Sequence, residues 1–150
     1  MEAYAKLWHY YNRTLPNCNF DRTVMRGYLR KKVKENKLFQ RTKFPKRFFA
    51  IDFQLGNLKI YQNEIEWKSG TCTDYKEIIC RDILKCSSLG SGHDDDTSSK
   101  NNEKASKNYT VPFQLCTAER NFELYSCSEE ERNMWLAGFE YMIVSTQEVQ

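Results

Sequence analysis

About seven short strand-like runs in succession, closed by a single capped helix, leave this chain few ways to fold. The first run is Val24 to Val33, where Leu29 shares a face with positions 27 and 31. Arg47 to Phe53 is the second, and a turn at Gly56-Asn57 leads to the third, Leu58 to Tyr61. Glu66 to Lys68 reads as a short fourth. Ile78 to Arg81 and Ile83-Leu84 read as further strand. Val111, Phe113 and Leu115 alternate, as do Phe122 and Leu124. Ser128 then stands three residues before Glu131, a capping box with acids in the first turn. Met134, Trp135, Gly138, Tyr141 and Met142 continue it as a helix to about Ser145. Antiparallel strands with one closing helix predict an orthogonal sandwich or partly open barrel plugged by that helix.

Two segments fall outside this pattern. Tyr4, Leu7, Trp8 and Tyr11 form a helical stripe that Pro16 ends. So short a helix is not stable alone in water, so the stripe is expected to pack on the following domain; a helix lying on a membrane is the alternative. Around 88–108 the chain has almost no large apolar residue, which predicts a flexible insertion with Asp94, Asp95 and Asp96 facing water. The expected organisation is an N-terminal helix and linker over 1–21 and one domain over 22–147. A chain of 150 residues suits one core.

Charge is uneven. Arg26 to Arg47 holds ten Lys or Arg against one acid, Glu35. That stretch is +9 in a chain of net +3, so the remainder is −6. Such polarity draws a polyanion to one end of the molecule. A merely solvated loop is the bland reading, but the aromatics inside this run favour a binding surface.

Several classes drop out. No run approaches the ~18 apolar residues of a membrane span, so any membrane contact is expected to be peripheral. The N-terminus lacks the pattern of a secretory signal. The six cysteines include no CxxC pair and lie far from His9 and His93, so no metal site is expected. They read as reduced and cytosolic, with Cys80 and Cys116 packing as small apolar side chains. No phosphate-binding Gly-rich loop, nucleophile elbow or HExxH is present. Neither an enzyme nor a cofactor is expected.

Five motifs in order carry a resemblance. Gly27-Tyr28-Leu29-Arg30-Lys31 resembles the GxLxK opening of pleckstrin-homology domains. Arg47-Phe48-Phe49-Ala50-Ile51 and Leu58-Lys59-Ile60-Tyr61 are similar to their second and third strands. Phe113-Gln114-Leu115, Arg120 and Phe122-Glu123-Leu124 resemble their late hairpin. Ser128 to Trp135 resembles their closing helix. The resemblance spans roughly 22–146. It implies a mainly β fold, a seven-stranded orthogonal sandwich capped by a C-terminal helix that puts Trp135 in the core, here with an extra N-terminal helix.

The resemblance also implies a lipid site at the open mouth, on the first two strands and the loop joining them. The residues so placed are Lys31, Lys32, Lys34, Lys37, Arg41, Lys43, Lys46 and Arg47, with Leu38 and Phe39 inserting into the acyl boundary. The alternative for Leu38 and Phe39 is a fold-back onto the barrel. The family's phosphoinositide pattern puts a further cation two residues before Arg47. Here that position is Pro45, between Lys43 and Lys46. This departure points toward a simpler phosphate. The N-terminal helix, basic loop and polar insertion more narrowly resemble the acylated pleckstrin-homology proteins of apicomplexan parasites. That resemblance implies a cytosolic sensor of phosphatidic acid in regulated, microneme-type organelle secretion. Residue 2 is Glu rather than the Gly of myristoylation, so an acylated start would lie upstream of this chain.

The expected partner is therefore an anionic phospholipid membrane, phosphatidic acid foremost, bound by a monomer from the cytosolic face. A phosphoinositide is the nearest alternative. A protein-interaction module of the same fold, using a sheet edge or Tyr4, Trp8 and Tyr11, is the rival from another class. Nucleic acid is not expected, because Phe48 and Phe49 read as structural and the charge is confined to one loop.

Overall fold

The computed structural model describes residues 2–21, 23–34, 42–90 and 108–148, with only the backbone of Lys34, Gln147 and Glu148. The expectations for Lys37, Leu38, Phe39 and Arg41, and for most of the 88–108 insertion, lie outside the described residues.

Helix α1 (Glu2–His9) stops well short of Pro16. Tyr10 and Tyr11 still donate their N–H groups to the carbonyls of Leu7 and Trp8. Asn12 then adopts a left-handed backbone, φ 60°, which reverses the chain. Strands β1 (Arg13–Leu15) and β2 (Cys18–Phe20) follow as an antiparallel hairpin. Pro16 thus sits in a hairpin turn and does not terminate a helix. Three-residue strands carry too little alternation to be read from sequence, which is why this segment reads as helix end and linker. Along α1, Ala3 and Leu7 are the buried residues, while Tyr4 and Trp8 stand 49% and 56% exposed. The helical stripe therefore docks mainly through Leu7 and Tyr11, with the Tyr4 ring set against Tyr141 at 6.1 Å and Trp8 facing outward.

β2 adds to strand β3 (Val24–Lys31), with Cys18 opposite Gly27. A Cβ at Gly27 would lie 2.0 Å from the Asn17 carbonyl oxygen, so only glycine admits the hairpin here. The chain continues through β4 (Val33–Lys34), β5 (Thr42–Lys43), β6 (Lys46–Asp52) and β7 (Asn57–Tyr61). Helix α2 (Glu64–Ser69), β8 (Lys76–Ile79) and β9 (Ile83–Ser88) come next, with a single 3-10 turn over Cys80–Asp82. β10 (Val111–Thr117), β11 (Asn121–Ser126) and helix α3 (Glu129–Glu148) complete it.

Seven strands form one path in the order β8-β7-β6-β3-β11-β10-β9, with the β1–β2 hairpin branching from β3 and β4–β5 a separate ribbon. The path makes an open sandwich closed by α3, the mainly β fold with flanking helices that the sequence predicts. Inward-facing Leu29, Phe49 and Leu58 meet Phe113, Leu115 and Leu124 from the other layer, with Trp135, Phe139 and Met142 of α3 across them. Gly138 lets α3 approach: a Cβ there would lie 2.9 Å from Met25 Sδ. Cys80 is fully buried, and burial pushes its thiol up to about 12, which makes it inert packing. Cys116 is buried too.

Two local expectations are corrected. Glu66 to Lys68 is not strand but the middle of α2. Asn63 Oδ1 accepts from the Glu66 N–H at 3.0 Å, and Gly70 closes the helix in a left-handed conformation, φ 70°. Caps at both ends outweigh three residues of strand-like pattern. The capping box is half realised. Ser128 Oγ accepts from the Glu131 N–H at 3.1 Å, but the Glu131 carboxylate turns away. It is buried and accepts from the Asn17 N–H at 2.9 Å, fastening the hairpin to the start of α3.

Candidate functional site

Strand register places the first two cations. On β3 the inward residues are Met25, Gly27 and Leu29, and Lys31 continues that face where the strand leaves the sandwich. Arg47 pairs with Leu29 across β6 and so shares the inner face. Lys31 and Arg47, two of the expected cations, thus share one face at the mouth.

Two further cations join them from strands distant in sequence. β8 begins with Lys76, on the same face as buried Ile78. Arg120 comes from the tight turn joining β10 and β11. Thr117 Oγ1 fixes that turn by accepting from the Arg120 N–H at 3.1 Å and donating to the Arg120 carbonyl at 2.7 Å. Phe122 is the floor between cations: Lys31 Nζ lies 5.7 Å from its ring centroid and the Arg120 guanidinium carbon 4.8 Å. Sequence reasoning singled out Arg120 only as a motif residue and passed over Lys76.

The field at Lys31 reflects this crowding. Burial pushes its ammonium below the usual lysine range, and the like charges of Arg120, Lys76 and Arg47 push the same way. Among the described residues, none of these four cations has an acidic side chain within ion-pair distance. Lys6, Arg13, Arg26, Lys32 and Lys68 each have one. A half-buried cation facing three like charges costs stability and is ready for an anion. Replacing Lys31 by methionine is therefore expected to raise the melting temperature, by about 2–4 °C once solvent screening is allowed for, in a thermal melt.

The other expected cations divide. Lys32 Nζ lies 3.6 Å from Glu123 Oε1, an ion pair outside the mouth. Glu123 also accepts from the Tyr125 hydroxyl. Lys46 pairs with Arg30 across β6 and stacks over Tyr28 at 4.9 Å, on the face opposite Arg47. Lys43 is exposed on the β4–β5 ribbon that leads to the mouth. Of the described candidates, the structure brings Lys31 and Arg47 together and puts Lys32 and Lys46 elsewhere.

Among the described residues, no helix is long and apolar enough to cross a membrane. No protein-family model matches the sequence, and no curated protein matches it. Solved structures do. The pleckstrin-homology domain of human oxysterol binding protein-related protein 11 superposes at TM-score 0.57 with 17% identity, covering 86% of this chain and 87% of that one. The N-terminal pleckstrin-homology domain of human ARAP2 gives TM-score 0.52 and 22% identity over 82% and 81% of the two chains. The C-terminal pleckstrin-homology domain of human pleckstrin gives 0.51 and 18% over 79% and 85%. The chain has the fold of a pleckstrin-homology domain.

Proposed function

We propose that this chain is a peripheral membrane-docking module, not an enzyme, whose mouth binds the phosphate of an anionic phospholipid. The observation that carries the reading is the convergence of Lys31, Arg47, Lys76 and Arg120 without acidic partners among the described residues. Arg47 and Arg120 offer forked donors and the lysines mobile point charges, a set suited to one phosphate gripped from several sides. Phosphatidic acid is the favoured ligand. Its phosphate is an exposed monoester, and a second ionisation near pH ~6 lets neighbouring cations draw out the dianion. Each cation near an anionic surface contributes about 1 kcal/mol, so several together give reversible docking. The narrower resemblance noted above would place this docking in microneme-type secretion.

The test is co-sedimentation with vesicles of matched total charge containing phosphatidic acid, phosphatidylserine or a bisphosphorylated phosphoinositide in neutral carrier. Selective recovery with phosphatidic acid is the expected result. Preference for the phosphoinositide would keep membrane docking and reject the monoester. Recovery with no vesicle would sink the lipid reading. The protein-interaction reading would then lead, and one observation favours it independently. Tyr4 and Trp8 are exposed and stacked, ring centroids 6.1 Å apart, and Tyr11 stacks on Trp8 at 4.5 Å.

A further inference from the structure

We infer that Asp82 and Glu119 restrict the mouth to head groups that carry a single phosphate. The inference rests on the docking reading above and concerns the same site. A cavity of about 110 Å³ opens between β8 and the β10–β11 turn. Its walls include Lys76, Arg120 and Phe122, the residues that flank Lys31, and also Asp82 and Glu119. Glu77 lines it as well, but its carboxylate is engaged by Asn57 Nδ2 at 2.7 Å. Asp82 and Glu119 are exposed, and neither has a cationic side chain within ion-pair distance among the described residues. Neither charge is therefore tied up in an ion pair on the cavity wall.

This arrangement treats one phosphate and several phosphates differently. A lone monoester sits among the four cations with nothing more to place. A phosphorylated inositol ring held by the same cations extends into the cavity, and its additional phosphates meet two carboxylates. A mouth lined only by Lys and Arg would gain affinity with every added phosphate. Two acids on its wall turn that gain into repulsion, specificity obtained by penalising the wrong ligand. A like-charge contact across a few ångströms of partly solvated space is worth about tenfold in affinity for each misplaced phosphate.

The experiment compares the unaltered chain with D82K/E119K on vesicles of equal total charge, one set carrying phosphatidic acid and one a bisphosphorylated phosphoinositide. The readout is the ratio of the two affinities, because added lysines raise binding to any anion. The expected result is a shift of that ratio toward the phosphoinositide by about tenfold or more. The side chains of both residues make no contact that the fold needs. Should the reversal nevertheless fail to fold, the neutral pair D82N/E119Q gives the same readout with a smaller shift. A ratio that does not move overturns the inference and leaves docking intact, as does an unaltered chain that already prefers the phosphoinositide. An unaltered chain that binds neither vesicle overturns the docking reading, and this inference with it.

Discussion

Replacing Lys31 and Arg47 together by glutamate is expected to abolish docking on phosphatidic acid vesicles, with affinity falling by about a hundredfold or more. Each cation at an anionic surface is worth about 1 kcal/mol, and each reversal both removes that attraction and adds a comparable repulsion. The pair therefore costs about 3–4 kcal/mol, and each ~1.4 kcal/mol is a tenfold change in affinity. The fold should survive the change. Lys31 is half-buried beside Arg120 and Lys76, so in the double variant a carboxylate there still meets two cations where an ammonium met its like. Among the described residues, the Arg47 side chain donates only to the neighbouring Lys46 carbonyl at 2.9 Å. Lys46→Glu is the internal comparison. It sits one residue away with the same charge but stacks over Tyr28 on the opposite face. Its reversal should weaken docking by no more than about tenfold, through the general field alone. Co-sedimentation of the three folded proteins decides the matter. If K31E/R47E binds as the unaltered chain does, the mouth is not the lipid site. If Lys46→Glu is as damaging as the pair, charge without geometry governs docking.

The contrast between Arg47 and Lys46 also marks how far the sequence carries. A two-residue period is enough to put Lys31 on the face of Leu29, and Arg47 on the face of Phe49 and Ile51, because a strand gives each side chain no other choice. The same period sets Lys46 apart from Arg47, yet the density of charge from Arg26 to Arg47 makes all the cations look alike. Lys76 and Arg120 were not legible as site residues. Neither lies in the basic run, and nothing near them in sequence points to Lys31. They arrive through the pairing of β7 with β8 and the reversal between β10 and β11. Tertiary demands likewise overrode local pattern at Glu131, whose spacing from Ser128 predicts a reciprocal cap. Its carboxylate is drawn instead to a backbone N–H of the β1–β2 hairpin, which three-residue strands had hidden. What was read correctly depends on neighbours along the chain, and what was missed depends on neighbours across it.

Replacing Trp135 by alanine is expected to remove about 3–5 kcal/mol of stability, the cost of emptying a large aromatic site in a packed core. Trp135 is fully buried, with its ring edge-on to Phe49 at 6.3 Å and stacked on Phe139 at 6.0 Å. It therefore fastens α3 to the sheet that carries Arg47, two residues before Phe49. A loss of that size is a large share of the 5–15 kcal/mol typical of a domain and should lower the melting temperature by about 10 °C or more. Phenylalanine provides the informative comparison. The indole N–H of Trp135 is buried and finds no hydrogen-bond partner among the described residues. Trp135→Phe forfeits packing area but also removes an orphaned donor, whose burial costs about 1–3 kcal/mol. The phenylalanine variant should accordingly retain most of the stability that the alanine variant loses. Thermal melts of the two variants beside the unaltered chain test this. Equal, deep losses would mean that the indole N–H does find a partner in the folded protein. A small loss in the alanine variant would mean that α3 does not hold the sandwich through this residue.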